Sequence, residues 1–221
     1  MWVQRASERY RGGDGVRVDT RHAFSFSGFY DPDNVRFGML AACNEERLAP
    51  GAGFDEHPHR DVEIVTWVVE GELTHEDSTG HRTVVRPGDV QRLSAGSGVR
   101  HTERNAGPEP LRFVQMWLTP AEYGGAPAYE VLRGIADATP YPVPRAEAVL
   151  HVRRVTEGER VAVPAAPWVY VHVVHGSITL GGEWLGPGDA ARIDDCEGLE
   201  AESGPTAELL IWEMHAEPTF G

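Results

Sequence analysis

The sequence predicts an all-β protein made of two similar β-barrels. Three observations predict it. Short apolar runs are interrupted by turn signals roughly every eight to twelve residues, the texture of antiparallel sheets. The chain holds 25 glycines and 16 prolines, which leaves long helices little room. And a unit made of a strand, a glycine, a hairpin and a Pro-Gly-Asp turn occurs twice in the same order.

Taken in order, the first strong element is Val62-Glu63-Ile64-Val65-Thr66-Trp67-Val68-Val69, rich in β-branched residues and stopped by Glu70-Gly71. Asp77-Ser78-Thr79-Gly80 is a hairpin turn by composition. His81–Val85 returns from it, and Arg86-Pro87-Gly88-Asp89 turns again. Leu111–Leu118 alternates as a further strand. Ala121–Ala136 has room for a turn or two of helix. Residues 121–145, with Gly124-Gly125, Pro127, Pro140, Pro142 and Pro144, are expected to connect an N-terminal domain (1–120) to a C-terminal one (146–221). Ile64–Gly71 is then echoed by Val169–Gly176, and Val85–Val90 by Leu185–Ala190. The spacing from glycine to the Pro-Gly-Asp turn is 16 residues in the first copy (71 to 87) and 11 in the second (176 to 187), so the second hairpin is shorter.

Charge and composition narrow the function. There are 34 acidic residues against 20 basic ones, a net charge of −14, and all the basic residues are arginine. Without lysine there is no phosphate loop of the Gly-Lys-Ser/Thr kind, no lysine Schiff base and no lysine general base. The acidic excess argues against direct nucleic-acid binding and against an anionic membrane surface. A hydrophobic content of 41% with 24% charged residues describes an ordinary globular protein. Cys43 and Cys196 form no Cys-x-x-Cys and read as two buried, reduced thiols. The N-terminus lacks a signal-peptide pattern, and the longest apolar tract, residues 161–174, is too short to span a bilayer. A cytoplasmic protein is expected.

Ten histidines remain. His57-Pro58-His59 precedes the first strong strand, and His101-Thr102-Glu103 follows the second turn. In extended chain, residues i and i+2 face one side, so each triplet aims two donors together. If the barrel brings the triplets together, three imidazoles and a carboxylate suit a divalent transition metal. Mixed N and O donors do not choose among iron, nickel, copper, zinc and manganese. Four protein ligands would leave coordination positions open for chemistry. His22, His81, His151 and His215 read as surface or hydrogen-bonded residues. His172 and His175 read as packing or exposed residues of a strand, and His75 stays open. At the corresponding offsets the second copy has Ala162, Pro164, Ala201 and Ser203, which cannot supply such a site. The second barrel is expected to be metal-free and structural or interfacial. There is no third glycine after Gly51-Ala52-Gly53 or Gly96-Ser97-Gly98 for a dinucleotide loop, no Gly-x-Ser-x-Gly elbow and no His-Glu-x-x-His.

Gly51 followed by His57-x-His59 and Glu63, and Gly88 followed by His101-x-x-x-Asn105, resemble the two cupin motifs. More specifically, His57-Pro58-His59-Arg60, Glu70-Gly71-Glu72, His75-x-Asp77-Ser78, Arg86-Pro87-Gly88-Asp89-Val90-Gln91 and Ser94-Ala95-Gly96-x-Gly98 resemble the pirin family. So does Arg21-His22-x-Phe24-Ser25-Phe26 through Tyr30-Asp31-Pro32. The resemblance is strong over residues 15–120 and loose beyond. It implies a bicupin, two jelly-roll barrels packed together, with one divalent metal in the N-terminal barrel only. Iron(II) is the first expectation, with manganese, nickel, copper, cobalt or zinc open. It implies His57, His59, His101 and Glu103 as ligands. Glu63, read as lying on the same strand face as His59, is left as an outer-sphere residue. The activity implied is a dioxygenase of the quercetin 2,3-dioxygenase type, acting on a flavonol or similar phenol with O2 and releasing carbon monoxide. Glu103 would act in it as the general base on the flavonol 3-hydroxyl. The alternatives are an enzyme for another small phenol and a non-enzymatic metal or redox sensor acting through protein partners.

Overall fold

The computed structural model describes residues 1–218. It begins with β1 (Trp2–Gln4) and a 3-10 turn at Ala6–Glu8. The following strands are β2 (Tyr10–Gly13), β3 (Val18–His22), β4 (Leu40–Leu48), β5 (Gly53–His59), β6 (Glu63–Glu70) and β7 (Leu73–Asp77). Then come β8 (Arg82–Val85), β9 (Val90–Ser94), β10 (Val99–Arg104), β11 (Leu111–Leu118) and β12 (Ala128–Leu132). The later part holds β13 (Pro140–Val143), β14 (Ala148–Val155), β15 (Arg160–Ala162), β16 (Ala166–His175) and β17 (Ile178–Leu180). It ends with β18 (Glu183–Leu185), β19 (Ala190–Cys196), β20 (Glu200–Ser203) and β21 (Ala207–Met214). All strand pairs are antiparallel, as the all-β reading expects.

The chain divides into two units. One is Tyr10–Arg36 with Leu40–Ile135; the other is Met1–Arg9, Phe37–Met39 and the chain from Ala136 onward. In the first unit a seven-stranded sheet, β12-β9-β6-β11-β4-β3-β2, accompanies a four-stranded sheet, β5-β10-β7-β8. Its apolar filling includes Leu48, Val68, Leu73, Leu111 and Phe113, and separately Ile64, Leu93 and Val99. In the second unit the sheets are β1-β19-β16-β21-β14-β13 and β15-β20-β17-β18, around Val169, Val171, Ile178, Leu209 and Ile211.

The repeated strand order is the duplication expected from the sequence. Gly71 and Gly176 take φ of +77° and +72° at equivalent strand ends. A Cβ would lie 2.5 Å from the Pro110 carbonyl oxygen in one case and 2.1 Å from that of Thr206 in the other. The two Pro-Gly-Asp turns match atom for atom. Asp89 Oδ2 accepts the Arg86 N–H at 3.0 Å, and Asp189 Oδ2 accepts the Gly186 N–H at 3.1 Å. Each aspartate also takes an arginine and the N–H of the next residue: Arg133 and Gly134 for Asp89, Arg5 and Ala6 for Asp189.

Three expectations change. Ala121–Ala136 forms no helix; Ala128–Leu132 alternates in exposure and pairs with Val90–Ser94 as an edge strand, since period-two alternation between Pro127 and Gly134 suits a strand. The expected connector is thereby largely part of the first barrel. The N-terminal boundary also moves: Trp2–Gln4 pairs with Ala190–Arg192 of the second unit, with the Arg192 guanidinium 4.7 Å from the Trp2 ring. Third, His59 and Glu63 do not share a strand. Asp61, at φ +52°, ends β5, and Glu63 begins β6 in the other sheet.

Candidate metal centre

β5 and β10 pair with His57 opposite His101, and a β-bulge follows before Glu103. The extra residue of the bulge lies on β5, between Phe54 and His57, while β10 keeps its alternation against β7, so His101 and Glu103 share one face and are buried. His57, His59 and His101 bring one ring nitrogen each to within 4.8 Å of one another. Glu103 joins a second such group with His101 and His75. The four residues expected from the sequence are therefore neighbours, and His101 belongs to both groups.

The hydrogen bonds fix which nitrogens face inward. His57 Nδ1 lies 2.7 Å from the Asp55 carbonyl, which can only accept, so Nε2 of the neutral ring carries the lone pair. That Nε2 is 2.9 Å from His101 Nε2. Two nitrogens at right angles on a metal with bonds of about 2.1 Å stand about 3 Å apart. His59 Nε2 is buried without a hydrogen-bond partner. Burial and the neighbouring histidines pull His59 down to about 4 and His101 to about 3, so both rings are neutral near pH 7. Facing lone pairs and an orphaned buried nitrogen fit a divalent transition metal.

Two outer chains orient these groups. Asp77 is buried and accepts from the N–H and hydroxyl of Thr79 and the N–H of His81. Burial pushes its carboxyl up, but the bonds from Thr79, His75 and His81 outweigh it and the net shift is downward. His75 Nε2 sits 3.2 Å from Asp77 Oδ2, and His75 Nδ1 sits 3.4 Å from His101 Nδ1. A carboxylate at Nε2 makes His75 Nδ1 the acceptor, so His101 donates from Nδ1 and keeps its Nε2 lone pair. On the other side, the Trp117 indole donates to Gln115 Oε1 at 3.0 Å, turning the amide so that Nε2 donates to both Glu103 oxygens at 2.8 and 3.0 Å. Glu63 accepts from Ser94 instead and falls in neither donor group.

His57 and His59 open onto a cavity of about 330 Å³. Phe26, Phe29, Phe54 and Trp117 line it beside His57, His59, Glu103 and Gln115. That volume is in the range of small-molecule sites, which are mostly apolar with a few placed polar groups. The sequence leaves His75 open and singles out none of Asp77, Gln115 and Trp117 as a site residue; Asp77 stands there only as the start of a turn and in the pirin-like His75-x-Asp77-Ser78 motif. His22, read as an ordinary hydrogen-bonded residue, bonds Asn44 and also lines the cavity.

A pirin profile matches residues 4–118. The chain belongs to the pirin family. A quercetinase C-terminal cupin domain profile matches residues 145–214, so the pirin-type pairing of two cupins extends over the second half, where the sequence motifs were loose. A protein of Mycobacterium tuberculosis is 42% identical over 90% of this chain and 89% of its own. The quercetin 2,3-dioxygenase of Escherichia coli K12 is 32% identical over 97% and 98% of the two chains. Among solved structures, the Escherichia coli pirin YhhW superposes with a TM-score of 0.91 at 30% identity over 99% of both chains. A structure of YhhW in complex with nickel(II) superposes at 0.89, with 31% identity and the same coverage. No helix among the described residues is long and apolar enough to cross a membrane.

Proposed function

We propose that His57, His59, His101 and Glu103 hold one divalent transition metal, iron(II) first among the candidates. The chain, on this reading, is a cytoplasmic dioxygenase of the quercetin 2,3-dioxygenase type, opening a flavonol or similar phenol with O2. The observation that carries it is the cluster of His57, His59 and His101, with His101 shared with the group that holds the buried Glu103 carboxylate, beside a cavity lined by aromatic rings. The Escherichia coli relative named for this activity and the nickel complex of YhhW support it. When bound, the metal supplies Lewis acidity toward a phenolic oxygen and open positions for redox chemistry with dioxygen.

The protein's own contribution follows from the geometry. Phe26, Phe54 and Trp117 offer apolar faces and edges to a flat bicyclic substrate and exclude water around it. Glu103 takes the proton of the substrate hydroxyl on a carboxylate oxygen. Gln115 Nε2, bonded to both Glu103 oxygens, holds that carboxyl in place before and after the transfer. His57 and His59 are only partly buried and line the cavity, so a small molecule has access to their side of the site. That access favours a catalyst over a sealed sensor.

Aerobic turnover of quercetin after reconstitution tests the reading. Loss of the flavonol absorbance with at least one metal, lowered by orders of magnitude in Glu103→Gln, is expected. No loss with iron, manganese, nickel, copper or cobalt would refute it.

A further inference from the structure

The cavity has a second polar wall that holding a metal does not require. β3 and β4 pair with Thr20 opposite Glu46 and His22 opposite Asn44. β11 extends these rows with Phe113 beside Glu46 and Gln115 beside Asn44. The rows belong to the seven-stranded sheet, whereas the histidines of the metal centre stand on the four-stranded one. Packed sheets face each other about 10 Å apart, roughly the reach of a bicyclic aromatic ligand.

Glu46 is the unusual member. It is 4% exposed yet lines the cavity. Thr20 Oγ1 donates to its Oε2 at 2.5 Å, and its Oε1 has no hydrogen-bond partner among the described residues. That oxygen is left to a ligand in the cavity that Glu46 lines. Burial, with the charges of Glu103 and Asp19 adding to it, pushes the group up to about 8, so near neutrality it is largely a carboxylic acid. Such a group both donates and accepts, as a hydroxyl does. No arginine lines the cavity, although the chain has 20 basic residues. Away from the metal centre, an anionic substituent on the ligand would find the Glu46 carboxyl and no cationic side chain.

We propose that Glu46, braced by Thr20, selects substrates by a hydroxyl on the part of the molecule remote from the metal-chelating oxygens. The cavity then takes uncharged polyhydroxylated aromatics and rejects carboxylated or sulfonated ones. This rests on the flavonol reading above and adds the specificity determinant.

The test measures binding to the metal-reconstituted protein under anaerobic conditions, by quenching of tryptophan fluorescence. The probes are quercetin, 3-hydroxyflavone, which keeps the chelating oxygens but lacks the other hydroxyls, and a sulfonated quercetin. Wild type is expected to prefer quercetin over 3-hydroxyflavone by about 10-fold, the effect of roughly one satisfied hydrogen bond. Glu46→Leu should shrink that preference to within about 2-fold while leaving 3-hydroxyflavone unweakened, and Glu46→Gln should retain part of it. Sulfonated quercetin should bind wild type at least about 10-fold more weakly than quercetin. A preference that survives in Glu46→Leu, equal weakening of both flavonols, or tight binding of the sulfonate would each overturn the assignment while leaving the flavonol reading standing. Failure of wild type to bind either flavonol would overturn both.

Discussion

The Asp77-His75-His101 chain makes a quantitative prediction about metal affinity. In His75→Phe the ring that stacks on Tyr129, with centroids 4.4 Å apart and planes 12° from parallel, is replaced by one of similar size. Packing is kept while two hydrogen bonds go. Asp77 retains its donors from Thr79 and His81, so the hairpin stays anchored. His101, however, loses the acceptor at Nδ1 and becomes free to take the tautomer that puts its proton on Nε2, where the lone pair is needed. Loss of an outer partner of this kind typically costs 10- to 100-fold in metal affinity. The His75–His101 contact is long at 3.4 Å, which places the effect at the lower end. About 10- to 30-fold, or roughly 1.4–2 kcal/mol, is expected. Competition with a fluorescent chelator for nickel or zinc at neutral pH reads it directly, and thermal unfolding in excess chelator checks that the metal-free fold is intact. An affinity within about 2-fold of wild type, with that fold intact, would refute the claim that His75 sets the His101 tautomer.

Other outcomes follow from the same geometry. Glu103→Ala should lose far more metal than Glu63→Ala on elemental analysis, because Glu63 is occupied by Ser94 outside both donor groups; the reverse order would overturn the ligand set. Gly176→Ala should lower stability by about 2 kcal/mol or more in denaturant unfolding, since left-handed backbone and a clash with the Thr206 carbonyl act together. Asp77 and Asp89 both have carboxyls held below the usual range, hydrogen bonds outweighing burial. Their stabilisation is thus fully present above the unfolded-state value of about 4 and is lost as pH falls below it. Asp89→Asn should therefore reduce stability at pH 7 and flatten its fall in acid, measured as denaturant midpoints across that range.

Much of this was legible in the sequence because it is written in local patterns. Leu111–Leu118 is an apolar-rich run and the two glycine-to-Pro-Gly-Asp units follow turn chemistry, which need no knowledge of the rest of the chain. The His-x-His and His-x-Glu triplets were legible for the same reason. What escaped was set by pairing between distant strands. Trp2–Gln4 is too short to announce itself, and its place depends on the open edge of β19, nearly two hundred residues away. Glu46 and Asn44 look like ordinary polar strand residues until the register of β3 and β4 turns them inward. Gln115 resembles any glutamine in an alternating strand, and only the fold puts its amide on Glu103.

The exchange of edge strands has a consequence for how the chain is made. The first barrel draws its edge strand, β12, from its own sequence neighbourhood, so everything it needs has been synthesised by about residue 135. The equivalent place beside β19 is taken by β1, translated nearly two hundred residues earlier. Those residues must wait, unpaired, until Ala190–Cys196 has been translated. A truncation or rigid fusion at the amino end would therefore injure the carboxyl-terminal half. Expressed alone from Ala136, that half should display a bare sheet edge open to self-association. A peptide carrying the first nine residues should dock there and restore it as a monomer.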